Sequence, residues 1–175
     1  MTLRFTRSLE EMRSVLKDPS SVGPDPVYVV HKDLDNGWVN KTEIMAGTYN
    51  NEFAKTFGHY HADNKDEIYH IESGTGILLL QNDHEVFLIT AKSGDEVLIP
   101  KEYGHGWINI GNAPLISYDN HQDPQDNYQI IAQKHGLAYY LLSDNGQPVA
   151  VPNPHYQNLP QPKWLTAEQF NGQKT

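Results

Sequence analysis

Between residues 27 and 152 the chain is cut by turn sequences into short runs rich in Val, Ile, Tyr and Thr. The turns are Asp35-Asn36-Gly37, Asn50-Asn51, Asp63-Asn64, Gln81-Asn82-Asp83, Ser93-Gly94-Asp95, Gly111-Asn112-Ala113-Pro114 and Asp144-Asn145-Gly146. Asparagine and glycine tolerate the positive φ of tight turns, so each cluster marks a place where a strand can reverse. Many short strands at such regular spacing predict an all-β sandwich or barrel rather than a βαβ sheet. At 175 residues one domain is the simplest division: a helical and edge segment over 1–26, a barrel over about 27–152 and a tail over 153–175.

The flanks carry weaker signals. Ser8-Leu9-Glu10-Glu11 is a capping box, and Leu9, Met12, Val15 and Leu16 recur at helical spacing until Asp18-Pro19, which predicts a short helix over 9–17. A second brief helix, aspartate-capped, is expected within 126–135 and closed by Gly136. Trp164, Leu165 and Phe170 are expected to dock the Pro/Gln/Asn-rich tail against the body.

His59 and His61 share parity in an extended segment and so project from one face. Glu67 follows six residues later, and His105 follows a turn around Pro100. Three neutral imidazole nitrogens and one carboxylate oxygen, with no sulfur, suit one divalent transition metal per chain, with Fe2+, Mn2+, Ni2+ and Zn2+ all admissible. A carboxylate buried without a cation would raise its pKa or cost several kcal/mol, which argues for the metal over a merely polar interior. With four protein ligands, an octahedral ion keeps two positions for substrate or water. Of the nine histidines, His31, His84, His121, His135 and His155 are expected on solvated surface. His70, out of phase with Glu67 and Tyr69, is expected outside the barrel.

The glycine frame adds a resemblance. Gly74 after Glu67, Gly94 and Pro100 before His105, and Asn109 after it resemble the paired motifs of the cupin barrels, a double-stranded β-helix or jelly roll. Within residues 46–81 the match narrows. Gly47, Glu52, Lys55, Thr56, Gly58, His59, His61, Glu67, Ile68, Tyr69, Gly74 and Gln81 resemble the signature of the cupin-type glucose-6-phosphate isomerases. The resemblance implies a metal-dependent aldose–ketose isomerase acting on glucose 6-phosphate and fructose 6-phosphate. His59, His61, Glu67 and His105 would hold the metal and, with Tyr69, do the chemistry. Thr42, Thr56, the Gly58 amide and Tyr28 would cradle the phosphate, with Tyr69, Tyr118 and Tyr128 also lining the pocket. Asn50 stands where that pattern has glycine, and Asp126 where it has a substrate-contacting histidine. Lys55 is read as an anion contact or a solvated strand lysine.

Two routes are compatible with these residues: proton transfer by Glu67 through a cis-enediol, or a hydride shift on a carbonyl polarised by the cation. The alternatives are a cupin Fe(II) dioxygenase and a non-catalytic sugar-phosphate-binding cupin. A formal charge of −9 disfavours nucleic acid as partner. With no cysteine, disulfides and thiolate chemistry are excluded. No apolar run suggests a signal peptide or membrane span, so a cytoplasmic location is expected. Exposed sheet edges suggest a homodimer.

Overall fold

The turn clusters separate strands that stack into three sheets. A computed structural model describes residues 3–32, 34, 37–63, 65–122 and 126–173. The expected turns at 35–36 and at 64 lie outside the described residues. The largest sheet joins β1 (Leu3–Arg7), β2 (Tyr28–Lys32), β3 (Asn40–Ile44), β6 (Glu67–Ser73), β9 (Glu96–Ile99) and β11 (Leu115–Asp119) in the order β1-β2-β3-β11-β6-β9. The second joins β7 (Thr75–Gln81), β8 (Val86–Lys92), β10 (Gly104–Asn109) and β14 (Lys163–Thr166) as β10-β7-β8-β14. The third is smaller: β4 (Thr48–Tyr49), β5 (Glu52–Phe53), β12 (Tyr139–Asp144) and β13 (Gln147–Pro152), ordered β13-β12-β5-β4.

One apolar core joins the sheets, with Ile44, Ile71 and Leu115 from the first and Ile77, Leu79 and Trp107 from the second. The Tyr69 and Trp107 rings meet edge to face across it, centroids 5.6 Å apart. This is the all-β cupin architecture with short helices at its ends. Asn109 braces one end: its amide donates to the Ile44, Met45 and Ala113 carbonyls while its oxygen accepts from Gly111 N. Asn50 adopts φ 56°, the left-handed conformation its position as a glycine substitute requires.

The Ser8 capping box forms as expected, Ser8 Oγ accepting from Glu11 N and Glu11 Oε2 from Ser8 N. The helix it opens is shorter than 9–17. α1 spans Leu9–Met12 and tightens into a 3-10 turn over Arg13–Val15, still burying Leu9, Met12, Val15 and Leu16. α2 covers Gln129–Gln133, and its cap is corrected: Asn127 Oδ1, not an aspartate, accepts from Gln129 N and Ile130 N. Asp126 turns inward instead.

Two strands extend the sheets beyond residues 27–152. β1 pairs antiparallel with β2, and β14 pairs parallel with β8 and leads into α3 (Ala167–Gly172). Phe170 is buried and Leu165 packs on the core, but Trp164 does not dock; it stays 45% exposed. Among the described residues, no helix is long and apolar enough to cross a membrane.

Candidate metal centre and cavity

His59 and His61 do not sit on a regular strand, as their spacing suggested. Residues 55–60 run as an irregular segment pinned by isolated bridges, Lys55 to Ile108, His59 to His105 and Tyr60 to Asn127. Gly58 lies within it at φ +83°, and an added Cβ there would press the His105 carbonyl at 3.2 Å. The bridge to His105 sets His59 directly against β10. Glu67, first residue of β6, points into the same space.

His59, His61, Glu67 and His105 bring one ligand atom each to within 4.8 Å of one another. Glu67 Oε2 is 3.0 Å from His61 Nε2 and 3.1 Å from His105 Nε2. Adjacent ligands about 2.1 Å from a single ion stand about this far apart. His61 Nδ1 lies 3.0 Å from the Lys65 carbonyl, which only accepts, so that nitrogen carries the proton. Nε2 then faces the Glu67 carboxylate. It donates to it when the ring is an imidazolium, as the nearby Glu67 charge favours, or turns its lone pair to a cation shared with Glu67 when the ring is neutral. His59 Nε2 and both ring nitrogens of His105 are buried without a hydrogen bond among the described residues. The donor set therefore fits a divalent cation.

Electrostatics agree with that geometry. Burial raises the Glu67 carboxyl, but His105 and His61 outweigh it and hold Glu67 far below the usual carboxylate range. Burial, reinforced by the neighbouring His105 imidazole, depresses His59 and keeps it neutral. Tyr69 is buried and faces Glu67; burial and that charge push its hydroxyl well up, so it keeps its proton.

Beside the centre opens a cavity of about 250 Å³ lined by Tyr28, Thr42, Thr56, Gly58, Tyr69 and Tyr128, among others. Thr56 Oγ1 accepts from Trp107 N at 3.0 Å, which leaves its proton to donate elsewhere. Among the described residues nothing accepts the Gly58 amide proton.

Other expected residues fall elsewhere. Tyr118 does not reach the cavity: on β11 the buried parity belongs to Leu115, Ser117 and Asp119, and Tyr118 lies outside near Trp38. Lys55 is neither an anion contact nor solvated; its ammonium is buried against Glu52, the Val15 carbonyl and the Tyr140 ring. His70 lies on the outward face against Trp38.

His121 is the largest departure. Expected on the surface, it is 7% exposed and stacks on His61 with ring centroids 3.9 Å apart. Its Nε2 is 3.0 Å from Asp126 Oδ1, and Asp126 Oδ2 is 3.2 Å from His59 Nε2. Asp119, also missed, lines the cavity and accepts from Asn40 Nδ2 and His121 N. Burial and the Glu67 charge raise its carboxyl to about 7. The apolar parity of Leu115 predicts Asp119 inward; no local pattern marks His121.

Residues 30–158 match the family model described as Glucose-6-phosphate isomerase (GPI). The chain belongs to the glucose-6-phosphate isomerase family. Relatives in that family include the glucose-6-phosphate isomerase of Thermococcus litoralis, 32% identical over 75% of this chain and 71% of its own. That of Pyrococcus horikoshii is 31% identical over 89% of each chain. The isomerase family's match spans the centre, the cavity floor and β3 to β13, but not β1 or β14.

Proposed function

We propose that this chain interconverts glucose 6-phosphate and fructose 6-phosphate at a divalent metal held by His59, His61, Glu67 and His105. The observation that carries the reading is the convergence of these four side chains, with buried nitrogens lacking hydrogen bonds, in a member of the isomerase family. Iron(II) is the leading candidate from the family resemblance, and the sulfur-free His/Glu set admits manganese, nickel and zinc as well. When bound, the cation supplies Lewis-acid polarisation of the substrate's carbonyl and neighbouring hydroxyl oxygens.

The remaining work falls to the protein. Tyr69, kept protonated, donates a hydrogen bond to the oxygen on which charge develops. Glu67 is a weak base while its imidazole contacts hold it ionised, which favours direct hydride transfer between C1 and C2 over proton abstraction by Glu67. Thr42, Thr56, the Gly58 amide and Tyr28 hold the phosphate by neutral donors. His121 brings an imidazole to the wall where the family resemblance expects one at position 126, with Asp126 orienting it. Tyr128 closes the near side against the His59 ring. The protein acts as a soluble cytoplasmic homodimer.

A coupled assay of metal-reconstituted protein tests the assignment. Fructose 6-phosphate should turn over, mannose 6-phosphate and free fructose far less. Inactivity of the iron, manganese, nickel and zinc forms alike would leave the sugar-phosphate-binding reading in its place.

A further inference from the structure

The cavity is electrically lopsided. Glu67, Asp119 and Asp126 line the side near the metal ligands, whereas a cation, Lys32, lines the β2 side, with Phe5 of β1 beside it. Lys32 Nζ lies 5.8 Å from the Phe5 ring centroid. A second cation stands just behind this wall. The Arg7 guanidinium on β1 lies over the Phe5 and Phe57 rings, at 5.3 and 5.5 Å from their centroids. A dianionic group is repelled by the carboxylate side and drawn to this one.

Arg7 also makes a directional contact. Its Nε donates to Tyr28 Oη at 3.3 Å, and Phe57 N donates to the same oxygen at 3.5 Å. A phenol has two lone pairs and one proton. With both lone-pair directions engaged, the proton must point elsewhere. Tyr28 lines the cavity, and among the described residues nothing accepts its proton. Residue 30 begins the family match, so β1 and Arg7 lie outside it.

We propose that Arg7 is a positioning residue for phosphate recognition: by donating to Tyr28 Oη it turns the Tyr28 proton into the cavity, toward the substrate's phosphate. The inference rests on the isomerase reading and adds the strand β1 to the site. Glu11, half exposed and 3.5 Å from Arg7 Nη1, only grazes the far side of the guanidinium and does not touch Tyr28. Were Arg7 only a brace for β1, its loss would lower stability without changing how phosphate and Tyr28 interact.

The test is a double-mutant cycle in the full-length, metal-reconstituted protein, read as KM and kcat for fructose 6-phosphate and as calorimetric affinity for inorganic phosphate. Arg7→Gln should raise KM and weaken phosphate binding about tenfold, the scale of one hydrogen bond to a charged acceptor, with kcat within about twofold. Arg7→Lys, which keeps a charged donor, should recover most of the loss. In a Tyr28→Phe background, Arg7→Gln should add less than about twofold, because the group it orients is gone. Glu11→Gln keeps the capping box and should leave KM and phosphate affinity unchanged.

Unchanged KM and phosphate affinity in Arg7→Gln overturn the proposal, as does a tenfold loss that persists in the Tyr28→Phe background. If Arg7→Gln fails to fold, Tyr28→Phe alone decides, and undiminished phosphate affinity there overturns it. The two readings fail separately. Phosphate affinity that depends on Arg7 through Tyr28, without wild-type turnover, sinks only the isomerase assignment. Normal turnover with phosphate affinity indifferent to Arg7 sinks only this one.

Discussion

Glu67 takes its properties from its neighbours: His61 and His105 reach the same carboxylate oxygen, and His61 is fixed from behind by the Lys65 carbonyl. Removing one imidazole leaves too few groups to compensate the ion's dehydration. His61→Ala and His105→Ala should therefore lose most of their bound metal, measured by elemental analysis after desalting; full occupancy in both refutes the ligand set. Thr56 tests the phosphate end. Thr56→Val removes a donor to a charged acceptor, worth about 1.5–3 kcal/mol, and should raise KM for fructose 6-phosphate by tens of fold at normal metal content.

Asp119 gives a pH signature in the metal-free protein. Its folded pKa of about 7 lies above its ordinary 3.8, so the folded state binds its proton more tightly than the unfolded state does. The stability this group contributes is thus present at low pH and lost as pH rises through that window. Asp119→Asn should raise the melting temperature of the metal-free protein by several degrees at pH 8 and by little at pH 4; an equal shift at both refutes this linkage. The convergence of His59, His61, Glu67 and His105 was legible in sequence because their spacing and types encode chemistry. His121 was not, because its burial comes from tertiary contacts, its stack on His61 and its contact with Asp126, that no local pattern encodes.

At the scale of elements, strands and turns were readable where alternation and turn chemistry agree, as in β6, whose buried positions alternate from Glu67 through Tyr69 to Ile71. β1 and β14 were not, since each is defined by the neighbour it pairs with rather than by its own pattern. The placement of Tyr118 inside failed on parity alone. Signature residues also divide by task. Glu52 and Lys55 belong to the matched segment yet touch no part of the cavity. Their buried pair ties the turn after α1 to the third sheet, Glu52 Oε2 accepting from Lys17 N and Lys55 donating to Val15 O. Removing one partner leaves a buried charge uncompensated, at a cost of about 3–5 kcal/mol. Lys55→Met should lower stability by this order in denaturant titration while the metal-bound protein keeps its KM. A raised KM with unchanged stability would return Lys55 to the site.

For the whole molecule, the three sheets end in the strands β1 and β9, β10 and β14, and β13 and β4, with Val149 of β13 and Trp164 of β14 exposed. Unpaired edges of this kind are protected by association, and light scattering at micromolar concentration should give about twice the 19.9 kDa of one chain. A monomer mass refutes the dimer. The proposed metal would also be linked to the fold, because an ion that binds only the assembled ligands stabilises the folded state. On the proposed function, one metal held by these four side chains switches on the isomerase. The decisive experiment titrates EDTA-stripped protein with iron(II) under anaerobic conditions while following glucose 6-phosphate formation from fructose 6-phosphate. Activity should climb from none and break at one equivalent per chain, with no rise in His61→Ala; full activity before metal is added, or none at saturation, rules out a metal-dependent isomerase held by these ligands.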